Sequence, residues 1–442
     1  MDLRSIPEVA ALIRARALSP VDLIESCLAQ IAAKAEGNAF ITVMRERALQ
    51  EAAQAARDIA GGRVLGPLHG VPVTVKDLVD VEGTPTTSGS RVPPRHPAAD
   101  APVVRRLREC GAIVIGKTNL HEFAFGTTSD ETAFGPVRHP LDPARSAGGS
   151  SGGAAAALAG GMCFGAVGTD TGGSIRIPAA ACGIVGLKAT HGEISCEGVV
   201  PLSTTLDHVG PMARSVGDAG LLFHAMKGSS VQSVAPAGGR LRFGVPRPYF
   251  FDRLDPDVRA IFDSGVARLR AAGHTVQDAG IANAEWTADV YLHICLPEAS
   301  EYHANDLNNH ADKYSPGVRL RLEMGRYLLA EDYVRALRVR EVLIASVERA
   351  LDRFDALLLP ALAIPAPPIG ATTVDVGGTT APIRATMLKL TQLFNITGHP
   401  AIALPAGAGA DRLPRSIQLV GHRGRTDRLL DVAAAVEQIV LV

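Results

Sequence analysis

Residues 145–190, RSAGGSSGGAAAALAGGMCFGAVGTDTGGSIRIPAAACGIVGLKAT, restrict the fold of this chain more than any other stretch. Glycine, serine and alanine crowd it, and positions 147–169 carry no charge. Two serine-bearing turns, GGSSGG around Ser150 and Ser151 and DTGGS ending at Ser174, bracket an alanine-rich segment. Alanine and Leu158 favour a helix there, and the small side chains permit close packing. Paired glycines at either end suit tight turns whose N–H groups can approach a ligand. The serines are therefore expected to meet at one place. A membrane span is rejected, because Gly, Ser and Ala gain little from lipid compared with Leu and Ile.

The whole chain, 442 residues with a formal net charge of −1, offers no electrostatic grip on nucleic acid or an anionic membrane. A hydrophobic share of 47% with only 4% aromatics implies a large aliphatic core. The six cysteines show no CxxC pair or regular framework, which fits reduced thiols in the cytoplasm. The Met-Asp-Leu-Arg start lacks a basic segment followed by an apolar run, so no signal peptide is expected. Scattered histidines, without HExxH, indicate no metal or other cofactor.

Residues 1–62 are expected to be packing helices. Ser19-Pro20-Val21-Asp22 starts one, with Ser19 as N-cap, and Leu23, Ile24, Cys27, Leu28 and Ile31 mark its buried face. A second is expected over 44–60. Val71 to Val75 alternates as a strand that delivers Lys76 and Asp77, and 79–81 reads as another short strand. An irregular loop at 83–100 precedes an apolar strand at 112–115. Phe123, Phe125 and Phe134 supply apolar surface for a pocket or for the core. After Lys188 a loop leads to a helix from Val216, and 228–240 reads as a linker before a strand at 241–245. From 254 to 350 the pattern is chiefly helical; 355–359 reads as a buried strand and 371–383 as a surface excursion. Strands near 400–405 and 415–420 and a helix from Thr426 close the chain. This alternation, with no repeat or domain-sized boundary, argues for an α/β layer structure.

Three short patterns suggest other chemistry and are rejected. Residues 111–118, GAIVIGKT, match the phosphate-loop pattern with Lys117, but the residues between its glycines are apolar and strand-like. GGSSG at 148–152 satisfies the GxSxG elbow with Ser150 as nucleophile. The DPARSAGG before it is a poor strand, however, and no motif singles out partners (His399 and His422 are merely available). Asp207 and His208 lie beside the candidate serines, yet adjacent residues point different ways and a triad needs spatial neighbours.

The order and spacing of GVPVTVKD (70–77), GGSSGG (148–153) and GTDTGGSIRIPAAACGIVGLK (168–188) resemble the amidase signature family closely. Weaker agreement runs through HEFAFGTTS, FGPVRHPLDPARS, LDHVGPMARSV and FNITGHPAIALPAG. His139 stands where many members have Asn. The resemblance implies one large α/β domain with a mixed central sheet covered by helices. Within it lie N-terminal helices (1–62), a signature core (63–225), a variable, pocket-forming region (226–390) and closing strands and helix (391–442).

It also implies a hydrolase of linear amide bonds with a Ser–cisSer–Lys relay. Ser174 would be the nucleophile, Ser150 the proton carrier after a cis Gly149–Ser150 peptide, and Lys76 the base, with Ser151 bonded within the relay. An amide is a poor electrophile with a poor leaving group, so cleavage needs an activated nucleophile, an oxyanion site and an acid for the nitrogen. Lys76 must be neutral, so its pKa must fall well below the ordinary ~10.4, as burial in uncharged surroundings would cause. Thr171, Gly172, Gly173 and Ser174 offer consecutive N–H donors for the oxyanion, each such donor typically worth ~3–4 kcal/mol. Asp170 and Arg176 are expected to brace that turn.

Less closely, the chain resembles the A subunit of the glutamyl-tRNA amidotransferase, which would release ammonia from glutamine within a complex. A binding protein on an inactive amidase fold is disfavoured, because Lys76, Ser150 and Ser174 are all present. The expected partner is a small-molecule amide, without direct nucleic-acid or membrane contact. A homodimer is left open, as are the acyl group, the amine and the cleavage of esters.

Overall fold

The computed structural model describes residues 5–441. The Met-Asp-Leu-Arg start, from which no signal peptide is expected, lies outside the described residues. Ser19 caps the helix Pro20–Ala33, its hydroxyl accepting from the Val21 N–H at 3.2 Å, and Leu23, Ile24, Cys27, Leu28 and Ile31 are buried as the spacing requires. The next helix, Arg45–Ala60, also lies where expected.

The sheet strands are β1 (Phe40–Val43), β2 (Pro72–Lys76), β3 (Ile113–Thr118), β4 (Gly165–Thr169), β5 (Val185–Lys188), β6 (Val209–Ala213), β7 (Arg242–Pro246), β8 (Thr275–Ala279) and β9 (Ala356–Pro360). A separate hairpin, β10 (Thr373–Val376) and β11 (Thr379–Pro382), forms the surface excursion, and β12 (Ala401–Ala408) and β13 (Pro414–Val420) complete the set. Among the described residues one eleven-stranded sheet runs in the order β1-β3-β2-β4-β6-β5-β12-β13-β9-β7-β8. It is mixed. The β3-β2-β4 and β9-β7-β8 groups are parallel, and the pairings from β4 through β9 are antiparallel. Every residue of β2, β3, β4, β5, β6 and β9 is buried, because helices cover both faces and leave no solvent side to alternate toward.

Three expectations are corrected. Residues 40–43 are not helix: the β-branched run FITV pairs antiparallel with β3 at the sheet edge, and is too short to show a period. β8 interrupts the region read as helical, pairing parallel with β7 at the other edge, with Val276 and Ala279 buried and Gln277 and Asp278 exposed. Residues 79–81 form isolated bridges, Val79 with Val199 and Val81 with Thr84, rather than a strand. Within the small-residue stretch the two serine turns are separated by a helix, Gly152–Ala159, and also by β4.

β2 and β4 lie side by side and parallel, Val75 opposite Val167, so Lys76 and Thr169 close the same carboxyl end of the sheet. Ligands of open α/β sheets bind outside such ends. The helix Gly152–Ala159 packs on β2 and β4, and all its residues from 152 to 158 are buried. Its first turn presses on neighbouring backbone: a Cβ at Gly153 would lie 2.4 Å from the carbonyl oxygens of both Ala39 and Asn119. Among the described residues no helix is long and apolar enough to cross a membrane.

Backbone cannot yield as a side chain can, so Gly153→Ala is expected to lower the unfolding free energy by ~1–3 kcal/mol, the usual range for overpacking. The denaturant midpoint should fall at unchanged slope. Gly280→Ala, with open space around it, is the control and should leave the midpoint in place.

Candidate active site

Lys76 is fully buried at the end of β2, and its amine donates to Ser150 Oγ at 2.7 Å, Thr169 Oγ1 at 2.8 Å and Ser151 Oγ at 2.9 Å. All of these partners are neutral hydroxyls. Burial pulls the Lys76 pKa down to about 7, against the opposing charges of Asp170 and Asp207. Near neutral pH the amine is therefore neutral much of the time, and a neutral amine keeps one lone pair to accept a hydrogen bond. Ser151 already donates to the Thr169 carbonyl at 3.2 Å, which leaves Ser150 and Thr169 to turn their hydroxyls toward the nitrogen.

Ser150 follows a cis peptide from Gly149. Its carbonyl accepts from the His121 N–H and from Ser129 Oγ, both at 3.1 Å, and Ser129 Oγ in turn accepts from the Gly152 N–H at 3.2 Å. The second serine turn docks on the first through the backbone: the Ser151 N–H donates to the Ser174 carbonyl at 3.2 Å. The hydroxyls of Ser150 and Ser174 share no hydrogen bond here, and Ser174 Oγ has no protein partner among the described residues. Such links commonly tighten only with substrate bound.

The turn itself is held by a buried ion pair. Arg176 meets Asp170 through both Nε and Nη2 at 3.0 Å, and each side chain is 0% exposed. Asp170 also accepts from the Ile175 N–H at 3.1 Å, while Arg176 donates to Gln418 Oε1 and Asn395 Oδ1 at 2.6 Å each. Burial alone would raise the Asp170 pKa, but the Arg176 guanidinium and then Lys188 hold it well below the usual carboxylate range. Thr171 Oγ1 donates to Asp207 at 2.5 Å, and Thr391 Oγ1 donates to the Gly172 carbonyl at 2.5 Å. The N–H groups of Thr171, Gly172, Gly173 and Ser174 have no protein partner among the described residues.

Glycine is needed here for packing as well as for access. A Cβ at Gly172 would lie 2.8 Å from the Tyr291 hydroxyl, and one at Gly173, whose φ is 144°, 2.3 Å from Thr391 Oγ1.

The rejected readings fail on geometry. His208 Nδ1 faces the Leu206 carbonyl at 2.8 Å and its Nε2 lies 3.2 Å from Lys188 Nζ, while Asp207 binds the Leu202 and Ser203 N–H groups. Burial raises the Asp207 pKa to about 6, against the bonds it accepts from Thr171, Leu202 and Ser203. His399 pairs with Thr397 and His422 with the Phe354 carbonyl. Lys117 lies in β3 and forms a fully buried ion pair with Asp77 at 2.7 Å, a structural role. His139 bonds the Ala181 carbonyl at 2.9 Å, bracing the helix Arg176–Cys182. Among the described residues no three His, Cys, Asp or Glu side chains gather to hold a metal.

Beside the turn opens a cavity of about 450 Å³, lined largely by residues from 285 to 392 together with Phe125. Tyr291 and Leu388 belong to its wall and abut Gly172. Of the other phenylalanines, Phe123 packs on His303 and Tyr314, and Phe134 is exposed. Sequence reasoning missed Thr169, Ser129, Thr391, Asn395 and Gln418. Thr169 and Asn395 lie inside recognisable motifs, whereas Gln418 carries no local signal.

The family model described as Amidase matches residues 22–430. An amidase from Pseudomonas putida is 39% identical over 428 residues, covering 92% of this chain and 90% of that protein. The A subunit of the glutamyl-tRNA(Gln) amidotransferase from Carboxydothermus hydrogenoformans is 35% identical over 475 residues, covering 98% of this chain and 96% of that protein. A solved structure described as an amidase shares 38% identity and superposes with a TM-score of 0.95, over 99% of this chain and all of that one. The chain belongs to the amidase family. It is an amide-hydrolysing enzyme of that class.

Replacing Arg176 would leave Asp170 buried, charged and unpaired. Arg176→Met is expected to cost about 3–5 kcal/mol of stability, the range for breaking one side of a buried pair, read by denaturant unfolding.

Proposed function

We propose that this protein is a stand-alone amidase that converts a small carboxylic amide to a carboxylate and ammonia or an amine through an acyl-enzyme on Ser174. The observation that carries the reading is the buried Lys76 amine, bonded to hydroxyls alone and with its pKa lowered to about 7. In the proposed cycle neutral Lys76 takes the Ser150 proton while Ser150 takes that of Ser174, and Ser174 Oγ adds to the amide carbon. The N–H groups of the 171–174 turn receive the oxyanion. When the C–N bond breaks, the relay returns its proton to the leaving nitrogen. Water then attacks the Ser174 ester over the same relay and releases the carboxylate. Ser151 and Thr169 hold the amine in place, and Asp170 and Arg176 brace the turn.

A small amide is the partner this cycle needs, with no nucleic acid and no cofactor. Six free cysteines suit a reducing cytoplasm. The residues proposed for the relay, Lys76, Ser150 and Ser174, all belong to one chain, and a homodimer would leave that assignment unchanged.

A second reading, the glutamine-hydrolysing component of a tRNA-dependent complex, is favoured by the 35% identity to the Carboxydothermus protein across 98% of this chain. The TM-score of 0.95 to a structure described as an amidase favours the first.

Ammonia release by the purified chain from a panel of primary amides, glutamine included, tests the choice. Simple amides should be hydrolysed, and Ser174→Ala should lower the rate by about a thousandfold or more. Near-normal acylation in Ser174→Ala would move the nucleophile elsewhere. Protonation removes the base, so kcat/KM should fall as pH drops below about 7, reaching tenfold per unit on the acid side. A flat profile between pH 6 and 8 would rule out Lys76 as the base.

A further inference from the structure

Most of the wall of the cavity beside Gly172 is apolar, yet two guanidiniums line it. Arg321 lies 5.4 Å and Arg384 5.7 Å from the centroid of the Phe125 ring. Their partners differ. Arg321 Nη2 donates to Glu131 at 3.1 Å, and Glu131 is shared with His121 at 3.2 Å and the Gly317 N–H at 3.1 Å. Arg384 has no hydrogen bond and no carboxylate partner among the described residues, although its Nε is buried.

A guanidinium carries five N–H donors and stays charged at any physiological pH. Holding one partly buried without an acid is unfavourable until a ligand supplies the acceptors. The other charged groups lining the cavity leave that demand unmet. Lys389 is paired with Asp252, and Glu285, an exposed residue, forms no ion pair with either arginine. Burial, and then the like charge of Arg384, push the Arg321 pKa below its ordinary value, so the two cations are close enough to repel.

The same cavity has wall residues that stand against the serine turn. Tyr291 lines it and abuts Gly172, and the charge of Arg384 opposes the rise that burial gives the Tyr291 pKa.

We propose that the substrate is an amide bearing a free carboxylate, such as the monoamide of a short dicarboxylic acid, with Arg384 as the group that binds that carboxylate and Arg321 as its second donor. The planar fork of a guanidinium matches a carboxylate bidentately, and the Phe125 ring supports both forks. An apolar spacer lies along Phe125 and Leu388, and the amide end meets Ser174. The inference rests on the amidase reading of this site.

The test separates binding from turnover. Calorimetry on the intact chain compares succinate and glutarate with butyramide, a neutral ligand of similar length. The dicarboxylates should bind about tenfold tighter or more, in keeping with charge-assisted hydrogen bonds. In Arg384→Gln, shown to be folded by its unfolding midpoint, that preference should collapse toward unity, and Arg384→Lys should restore part of it. Ammonia release from succinamate and glutaramate should exceed that from butyramide by a similar factor in kcat/KM, carried mainly by KM. Equal binding of acid and neutral ligands, or equal loss of both in Arg384→Gln, overturns the inference while hydrolysis of butyramide leaves the amidase reading intact. Arg384-dependent binding without ammonia release from any amide would uphold the carboxylate site and sink the amidase reading instead.

Discussion

Lys76 keeps an amine out of water with no carboxylate among its hydrogen-bond partners, and much of the surrounding architecture follows from that arrangement. Hydroxyls accept from an ammonium but do not neutralise it, so desolvation prevails and the pKa falls to about 7. Three hydroxyls can crowd one nitrogen only where backbones come close. The helix Gly152–Ala159, built of glycine, alanine and one leucine, lets them do so by packing directly on β2 and β4. The composition of residues 145–190 is thus the local price of a dry lysine.

Charge is managed by separation. Asp170 and Arg176, which flank the turn, are paired with each other and satisfied by Asn395 and Gln418, and Asp207 is held by the Thr171 hydroxyl and backbone N–H groups. A buried ion pair is weak evidence for stability in itself, but one whose remaining donors and acceptors are satisfied can hold a single geometry. This network also reaches across the chain, since Gln418 lies in β13 and Thr391 bonds the Gly172 carbonyl. The turn that bears Ser174 is therefore positioned by residues from the last quarter of the sequence.

Legibility followed the range of the interaction that each feature depends on. The Ser19 cap, the strand ending in Lys76 and the rejection of Lys117 as a phosphate-loop lysine rest on neighbours in sequence, and each agrees with the structure. β1 and β8 were not legible, because short edge strands owe their state to a partner strand rather than to their own pattern. Thr169 looks like any residue ending a strand until β2 and β4 are set side by side. Asn395 and Gln418 become part of the site only through bonds spanning 219 and 242 residues.

By itself, the sequence determined the motifs and the small side chains that let backbones meet, and the family resemblance those motifs carry marked Lys76, Ser150 and Ser174 as candidates. All of these depend on residue type and short spacing. Tertiary structure alone decided that the Lys76 amine meets hydroxyls only, that the Ser150 and Ser174 hydroxyls stand without a mutual bond, and that Arg384 lines the cavity without an acid. The physical reason is that a side chain's solvation and charge partners are set by whatever the fold brings beside it, and those neighbours come from distant parts of the chain.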